Sequence, residues 1–250
     1  MELKEVLGQV PGLHKRFVYY LESQGYIRPA KLRRQRISRR DYSDDDLRVV
    51  REMWRYYQRG YSVQAAYDLV SRRQRVTAYV TLPVPAARWR QLLEALREQP
   101  EVVEASIVYG TSLDFVVRTD TPDEGEIYHG LLPALTSVGL VGAPTVLRAT
   151  NRFQREEAAA QGGDGRMMAY VLMRVPGKDA DRVMEELRRF PGIVEAATVY
   201  GESDIIAKVV AAGQRELDEL VMEKLHGIPA VESTRTFIVI GGLHWSREGG

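Results

Sequence analysis

The chain has 250 residues, of which 44% are hydrophobic, and its formal net charge is only +1. It contains no cysteine, which excludes disulfides, thiolate metal sites and cysteine nucleophiles. No run of residues approaches the eighteen apolar positions of a membrane-spanning helix, and Glu2 and Glu5 stand where a signal peptide would be basic and then apolar. We therefore expect a cytoplasmic protein with no membrane partner.

The small net charge hides two segments of opposite sign. Residues 1–75 contain 17 lysines and arginines against 9 acidic residues, a charge of +8, whereas the remainder contains 18 against 25, a charge of −7. Neutralisation of phosphates dominates the affinity of proteins for nucleic acid. A basic first domain before an acidic remainder therefore favours a DNA-binding protein with a separate sensing or assembly part.

The first 75 residues read as short helices around a basic ribbon. Helices are predicted over Leu3–Val10 and Leu13–Gln24, with a Pro-Gly turn between them that is typical of a helix-turn-helix. Residues 29–42 are too basic and interrupted for a core element and predict a two-stranded wing. Ser43 caps the next helix, which ends at Arg59, and Ser62 caps a last one.

Long hydrogen-bond donors cluster at the start of the second helix and along the wing. Such donors reach base edges from the amino-terminal half of a helix in the major groove, while wing cations meet phosphates. The alternative is a solvated basic face, and RNA is disfavoured because the aromatic residues fall at the helical spacing of a core. The predicted DNA contacts are His14, Lys15, Arg16, Tyr19, Lys31, Arg33, Arg34, Arg36, Arg39 and Arg40.

The rest of the chain contains one unit twice. The segment VEASIVYG at 103–110 returns as VEAATVYG at 194–201, and the offset of 91 holds over a long span. Each copy alternates as β-α-β-β-α-β. Its strands are apolar on both faces, so we expect helices on one face of each sheet and a second sheet on the other.

The predicted fold class is therefore α+β, with an N-terminal all-α winged helix-turn-helix followed by two ferredoxin-like βαββαβ domains. The predicted domains are 1–75, a degenerate first repeat at 76–151 and a second repeat at 167–241. The polar, glycine-containing residues 152–166 predict a flexible linker, and residues 242–250 predict a poorly ordered tail.

Residues 3–70 resemble the winged helix-turn-helix of the MerR family. The matching motifs, in chain order, are Tyr20-Leu21-Glu22, Gly25-Tyr26-Ile27-Arg28-Pro29, Arg40-Asp41-Tyr42-Ser43 and Gly60-Tyr61-Ser62. The chain departs from the family at Tyr19, where an arginine is usual. It also lacks the long dimerising helix, because only residues 71–75 precede the first repeat.

Copy two resembles the Lrp/AsnC effector-binding domain, also called the RAM domain, through its Gly201-x-x-Asp204 loop and its Ser-Thr-Arg-Thr segment at 233–236. In copy one, Ala143-Pro144-Thr145 replaces the start of that segment, so copy two is expected to retain any pocket. The alternative is a tight hairpin in which Asp204 pairs with Arg235. The resemblance implies effector binding at Tyr200, Gly201, Glu202, Ser203, Asp204, Ser233, Thr234 and Thr236.

These patterns together predict a transcriptional regulator that binds double-stranded DNA, forms a homodimer or higher homo-oligomer through its repeat domains, and senses an amino-acid effector. The alternative is a constitutive DNA-architectural or assembly protein whose repeats only oligomerise. No enzyme is expected, and no catalytic residue, metal site or cofactor is assigned, because the four histidines lie in different elements without metal-ligand spacing.

Overall fold

The structure is a computed structural model that describes residues 1–34, 37–71, 75–85, 87–110, 112–140, 142–155 and 166–247, without the side chains of 32–39. The chain divides into two compact units, Met1–Gln74 and Arg75–Gly250. No helix in the described part of the chain is long and apolar enough to cross a membrane.

The first unit consists of four helices and one antiparallel hairpin, so the predicted all-α class is wrong for this part. The hairpin lies where the wing was expected, with Ala30 opposite Asp41. Ser43 caps the third helix by accepting a hydrogen bond from the backbone N–H of Asp46 at 3.0 Å. The elements are α1 Leu3–Gln9, α2 Lys15–Ser23, β1 Ala30–Arg34, β2 Ile37–Asp41, α3 Asp44–Gln58 and α4 Val63–Val70.

The second unit holds both copies of the repeat. Copy one comprises β3 Val76–Pro83, α5 Trp89–Glu98, β4 Val102–Tyr109, β5 Leu113–Thr121, a π-helical turn Ile127–Leu131 that continues into α6 Leu132–Val138, and β6 Thr145–Gln154. Copy two comprises β7 Met167–Arg174, a 3-10 turn Gly177–Asp179, α7 Ala180–Leu187, β8 Ile193–Tyr200, β9 Ile205–Ala211, α8 Gln214–Asp218 with a π-helical continuation Glu219–Leu225, and β10 Ser233–Ser246.

The eight strands form one closed antiparallel barrel in the order β10-β4-β5-β3-β6-β8-β9-β7. The prediction of two ferredoxin-like domains with sheets face to face is therefore wrong. The four strands of each copy are neighbours, but the copies join edge to edge, at β6–β8 and at β10–β4. The strands are apolar on both faces because one face meets helices and the other lines the barrel interior.

The end of β6 belongs structurally to copy two. Phe153 is buried in the core cluster that copy two builds around α7. Two residues on, the Arg155 guanidinium donates to the carbonyl oxygens of Arg188 at 2.6 Å and Ile193 at 2.9 Å. The predicted linker thus begins too early, because residues 152–154 are strand, and residues 156–165 lie outside the described part.

The end of β10 does the same for copy one. Trp245 packs against the core cluster of copy one, where the predicted tail was expected to be poorly ordered. The Arg247 guanidinium donates to the carbonyl oxygens of Gln99 at 2.8 Å, Val102 at 3.0 Å and Arg97 at 3.3 Å, at the end of α5. Each copy therefore completes the core of the other with its last strand.

The repeated Tyr-Gly lies at the two joins between the copies. A Cβ atom on Gly201 would stand 2.6 Å from Cδ2 of Leu147 in β6, and one on Gly110 would stand 3.1 Å from the ring of Phe237 in β10. Gly201 also has φ +149°. Gly201 needs glycine because of this close approach and its positive φ, and Gly110 leaves little room for a side chain beside Phe237.

Candidate functional site

Helix α2 presents the exposed polar face on which DNA contacts were predicted. His14 is the residue before its first turn, and Lys15, Arg16 and Tyr19 are exposed on it. Neither Lys15 nor Arg16 has an ion-pair partner among the described residues. Two cationic side chains therefore stand free at the amino-terminal half of this helix, which is where base-reading side chains lie on recognition helices.

The wing is braced against α2 by Arg40. Its Nε lies 2.6 and 2.8 Å from the two carboxylate oxygens of Glu22, and its guanidinium lies 5.1 Å from the ring centre of Tyr19. The hydrogen bonds that Arg40 donates to the Glu22 carboxylate raise the pKa of Arg40. Of the predicted DNA contacts, Arg40 therefore contacts both Glu22 and Tyr19.

The remaining wing positions are placed only in part. Lys31 is exposed on β1. Arg33 and Arg34 lie in β1 and Arg39 in β2, but their side chains are outside the described part, and Arg36 lies outside the described residues altogether.

An aromatic groove of about 990 Å³ runs beside the start of α2. The Trp54 ring lies edge-on to Phe17 at 5.0 Å, and its indole N–H donates to the carbonyl of Pro11 at 3.2 Å. The groove is lined by Leu7, Leu13, His14, Lys15, Arg16, Phe17, Tyr20, Trp54, Tyr57 and Val63. Sequence reasoning assigned Phe17, Tyr20, Tyr56 and Tyr57 to a core. Phe17 and Tyr56 are buried, whereas Tyr20 and Tyr57 are exposed, so the prediction is wrong for these two.

Copy two carries a pocket of about 350 Å³ where its β8–β9 loop meets the start of β10. It is lined by Leu172, Arg174, Glu202, Ser203, Ser233, Thr234 and Arg235. Four of the predicted effector contacts are thus brought together there. Sequence reasoning missed Leu172 and both arginines as lining residues.

The other predicted effector contacts lie outside this lining. Tyr200 is exposed, Gly201 packs against Leu147, and Thr236 is paired with Val171 in the β10–β7 ladder. A carboxylate oxygen of Asp204 accepts the backbone N–H of Val175 at 2.9 Å, so Asp204 holds the loop to the end of β7.

The pocket's charged groups have no ion-pair partners among the described residues; these groups are Arg174, Arg235 and Glu202. The alternative, a hairpin in which Asp204 pairs with Arg235, is not the arrangement found, because Asp204 accepts from the backbone N–H of Val175 and Arg235 lies over the Phe237 ring at 4.6 Å. Within the lining, the Thr234 hydroxyl already has a hydrogen-bond partner, because its Oγ1 lies 2.7 Å from Nε2 of His226. The pocket is therefore open to a ligand that brings both signs of charge.

The signal for Arg174 was available in the pairing of strands. Arg174 is opposite Ser233 in the β7–β10 register, so the end of one strand places its side chain beside the start of the other. Periodicity assigns side chains to a face but does not give this register.

The barrel interior holds a buried polar network that was not predicted. Glu104 accepts from Lys208 Nζ at 2.6 Å and from the Tyr170 hydroxyl, and Arg118 Nε lies 3.5 Å from it. Burial raises the pKa of Glu104, but the charges of Lys208 and Arg118 outweigh it and hold the pKa below its ordinary value. Glu104 is thus ionised inside the barrel.

The second carboxylate of this network mirrors the first. Glu195 accepts from the Tyr79 hydroxyl and lies 3.0 Å from Arg152 Nε. Burial and the neighbouring carboxylate raise the pKa of Tyr79 well above its ordinary value. Tyr79 and Tyr170 occupy equivalent places in the two copies, and each bonds to the glutamate of the other copy, so the network ties the two halves together.

No group of three or more histidine, aspartate or glutamate side chains in the described part of the chain is placed to hold a metal ion.

Comparison with known proteins finds a family that matches copy two. Residues 168–244 match the family model described as the Lrp/AsnC ligand binding domain. An uncharacterised HTH-type transcriptional regulator of Pyrococcus furiosus is 38% identical over 73 residues, which are 28% of this chain and 49% of that protein. The HTH-type transcriptional regulator FL11 of Pyrococcus horikoshii is 31% identical over 74 residues, 30% of this chain and 48% of that protein. The chain spans about half the length of these relatives.

The barrel has a counterpart among solved structures. The siroheme decarboxylase NirDL is similar over 66% of this chain and 71% of its own, with a TM-score of 0.53 and 12% identity. At this identity the likeness concerns the fold alone.

Proposed function

We propose that this chain, whose residues 168–244 form an Lrp/AsnC ligand binding domain, is a DNA-binding transcriptional regulator controlled by a small amino-acid-like effector. The observation that carries the DNA part is the free cationic face of α2 beside a two-stranded wing. The relatives named HTH-type transcriptional regulators support the same assignment. The role is proposed to be non-enzymatic, and its place the cytoplasm.

Helix α2 is proposed as the recognition helix of a MerR-like winged helix-turn-helix. Lys15 and Arg16 would enter the major groove, where an arginine can bond two acceptors of guanine. The wing would follow the backbone, and the Arg40–Glu22 brace would fix its angle to α2. In this arrangement Arg16 gives sequence preference and the wing gives affinity.

The effector is proposed to bind in the pocket of copy two. Guanidinium groups and a carboxylate without ion-pair partners among the described residues, lining one small pocket, suit the carboxylate and ammonium groups of an amino acid. Copy one would then act as the structural half of the barrel.

A homodimer is proposed for the DNA-bound form. Tight reading of a palindrome needs two helix-turn-helix units at a fixed spacing, and each chain has one. Because the barrel closes within one chain, the described sheet offers no free edge, so the contact would use helices or loops.

The decisive experiment selects a binding site from random DNA and compares Arg16→Ala with Arg215→Ala, whose exposed arginine lies on the barrel unit. Arg16→Ala should weaken the selected site by about 1–3 kcal/mol and reduce the preference for it over random DNA. Arg215→Ala should leave both unchanged.

Two results would count against the proposal. Failure of the full chain to retain any DNA at low salt would remove the DNA-binding role. An equal loss on selected and random DNA for Arg16→Ala would leave a protein that binds backbone only, which is the constitutive architectural alternative.

A further inference from the structure

We infer that the pocket of copy two selects a ligand of net negative charge that also carries an ammonium group, namely an acidic amino acid. The inference rests on the proposed function and narrows its ligand class. It starts from the three charged side chains of the lining, Arg174, Arg235 and Glu202, of which two are cationic and one is anionic.

The charge of the pocket is not compensated by the protein. None of the three side chains has an ion-pair partner among the described residues, and the nearest acid on the loop, Asp204, is bound to the backbone N–H of Val175 at 2.9 Å. The lining therefore carries an excess of one positive charge. A neutral zwitterion would satisfy one arginine and the glutamate but leave the second arginine unpaired.

The geometry places the two arginines side by side. Arg174 ends β7 opposite Ser233, and Arg235 stands two residues further along β10, on the same face of the ladder. The ring of Phe237 supports the Arg235 guanidinium at 4.6 Å, which limits its freedom before any ligand arrives. Two guanidinium groups on one face of the ladder match two carboxylates of one molecule.

The third charge comes from a different segment of the chain. Glu202 belongs to the β8–β9 loop, whose position is fixed by the Asp204 contact, and it provides the acceptor for an ammonium group. Ser203 and Ser233 add hydroxyls that no described residue occupies. At about 350 Å³ the pocket suits a small amino acid better than a peptide.

Copy one shows the same position without these charges. Pro83 stands where copy two has Arg174, and Thr145 stands where it has Arg235. A Cβ atom on Gly142 would lie 3.0 Å from Cγ of Pro83, so the proline is packed over by the chain. The charged lining is thus a property of one copy and not a requirement of the repeat.

The test measures thermal shift and calorimetric affinity of the full chain with aspartate, asparagine and succinate, and with glutamate, glutamine and glutarate. Within each set the second compound lacks one carboxylate and the third lacks the ammonium group. We expect the acidic amino acid of one set to bind roughly tenfold or more tighter than both of its analogues, because each analogue leaves a charged group of the pocket unpaired.

Variants assign the contacts. Arg174→Gln and Arg235→Gln should abolish the preference for the acidic amino acid over its amide, and Glu202→Gln should abolish the preference over the dicarboxylate. Arg215→Gln, an exposed arginine outside the pocket, should change neither. The melting temperature without ligand should change little in all four. Arg174 and Glu202 have no ion-pair partner among the described residues, and the contacts of the other two, Arg235 with the Phe237 ring and Arg215 with Glu219, are exposed.

The inference is overturned if the amides bind as tightly as the acids, or if neither set produces a shift at millimolar concentration. Either result leaves the DNA experiment untouched, so loss of this ligand class can be told apart from loss of the regulator. Conversely, a chain that binds aspartate or glutamate but no DNA would keep the pocket and refute the regulator.

Discussion

Replacing Arg247 with alanine should destabilise copy one of the repeat, although Arg247 follows the last strand of copy two. In the structure its guanidinium closes the end of α5 by donating to the carbonyls of Arg97, Gln99 and Val102. It also lies 5.2 Å from the ring centre of Trp245. Alanine removes all of these contacts and leaves part-buried carbonyls without their donor.

The expected cost follows from those contacts. A hydrogen bond from a charged donor contributes about 1.5–3 kcal/mol. The three bonds share one guanidinium that remains partly accessible, so we expect about 2–4 kcal/mol in total rather than their sum. In a unit of this size, 1 kcal/mol lowers the melting temperature by about 2–4 °C, so the decrease should be roughly 4–16 °C.

Hydrogen exchange and calorimetry on the full chain provide the assay. Amides of α5, Trp89–Glu98, should exchange faster in Arg247→Ala. Arg155→Ala is the matched variant, because Arg155 donates to Arg188 and Ile193 at the end of α7, and it should accelerate exchange in α7. If Arg247→Ala left hydrogen exchange in α5 unchanged and accelerated it in copy two alone, the inference that each copy completes the core of the other with its last strand would be refuted.

Three further outcomes are expected. Arg40→Ala should weaken DNA binding. If Arg40 acts as a brace, the double variant Glu22→Arg with Arg40→Glu should restore most of the affinity, because the ion pair forms again with its charges reversed. A double variant that binds DNA as weakly as Arg40→Ala would make Arg40 a direct phosphate contact. Gly201→Ala should cost about 1–3 kcal/mol in urea unfolding, because its Cβ would meet Leu147 at 2.6 Å. Leu147 is itself buried, so Leu147→Ala destabilises the chain on its own; in a double-mutant cycle the cost of Gly201→Ala should be smaller in the Leu147→Ala background than in the parent chain. The pKa of Glu104 in the folded chain is below its ordinary value, so its ionised form stabilises the fold above about pH 4.3, and this stabilisation is lost as pH falls through the lower folded pKa. If the unfolding free energy of Glu104→Gln fell as steeply with decreasing pH as that of the parent chain, this reasoning would be contradicted.

The elements were predictable because periodicity and caps act locally. The helix that begins after Ser43 and the wing hairpin are found close to the predicted positions. The joining of the copies was not predictable, since alternation tells which face of a strand is buried but not which strand lies at its edge. Nothing local in Thr145–Gln154 indicates that its partner is the distant strand Ile193–Tyr200.

The end of the chain shows why the tail was misread. Gly241 and Gly242 look like the end of a strand, and glycine usually marks one. In the structure Gly242 has φ +76° and lies in a register shift between Val239 and His244. In this irregularity β10 advances from Val239 to His244 while β4 advances only from Val108 to Ser106, and β10 then continues along β4. The same residues that suggested termination therefore allow the barrel to close.

The site was predictable only as far as the motif reached. The β8–β9 loop and the segment 233–236 supplied four lining residues, whereas Arg174 depended on the register of β7 against β10. Asp204 was assigned to the ligand because a carboxylate beside a glycine turn can meet an ammonium group. In the structure Asp204 instead accepts a hydrogen bond from the backbone N–H of Val175, which fixes the loop to the end of β7.

The two copies share the residues at their joins and differ in the residues of the pocket. Positions at the joins are kept in both, as the glycine after each Tyr, the crossed Tyr–Glu pairs and the terminal arginines show. Positions of the pocket are not, because Pro83 and Thr145 replace its two arginines. Each join uses residues from both copies, so a loss in either copy would open the barrel, whereas a pocket in one copy can be lost without that cost. The repeated segment from which the duplication is recognised therefore contains residues of the joins, and the charges that are not repeated line the proposed ligand pocket.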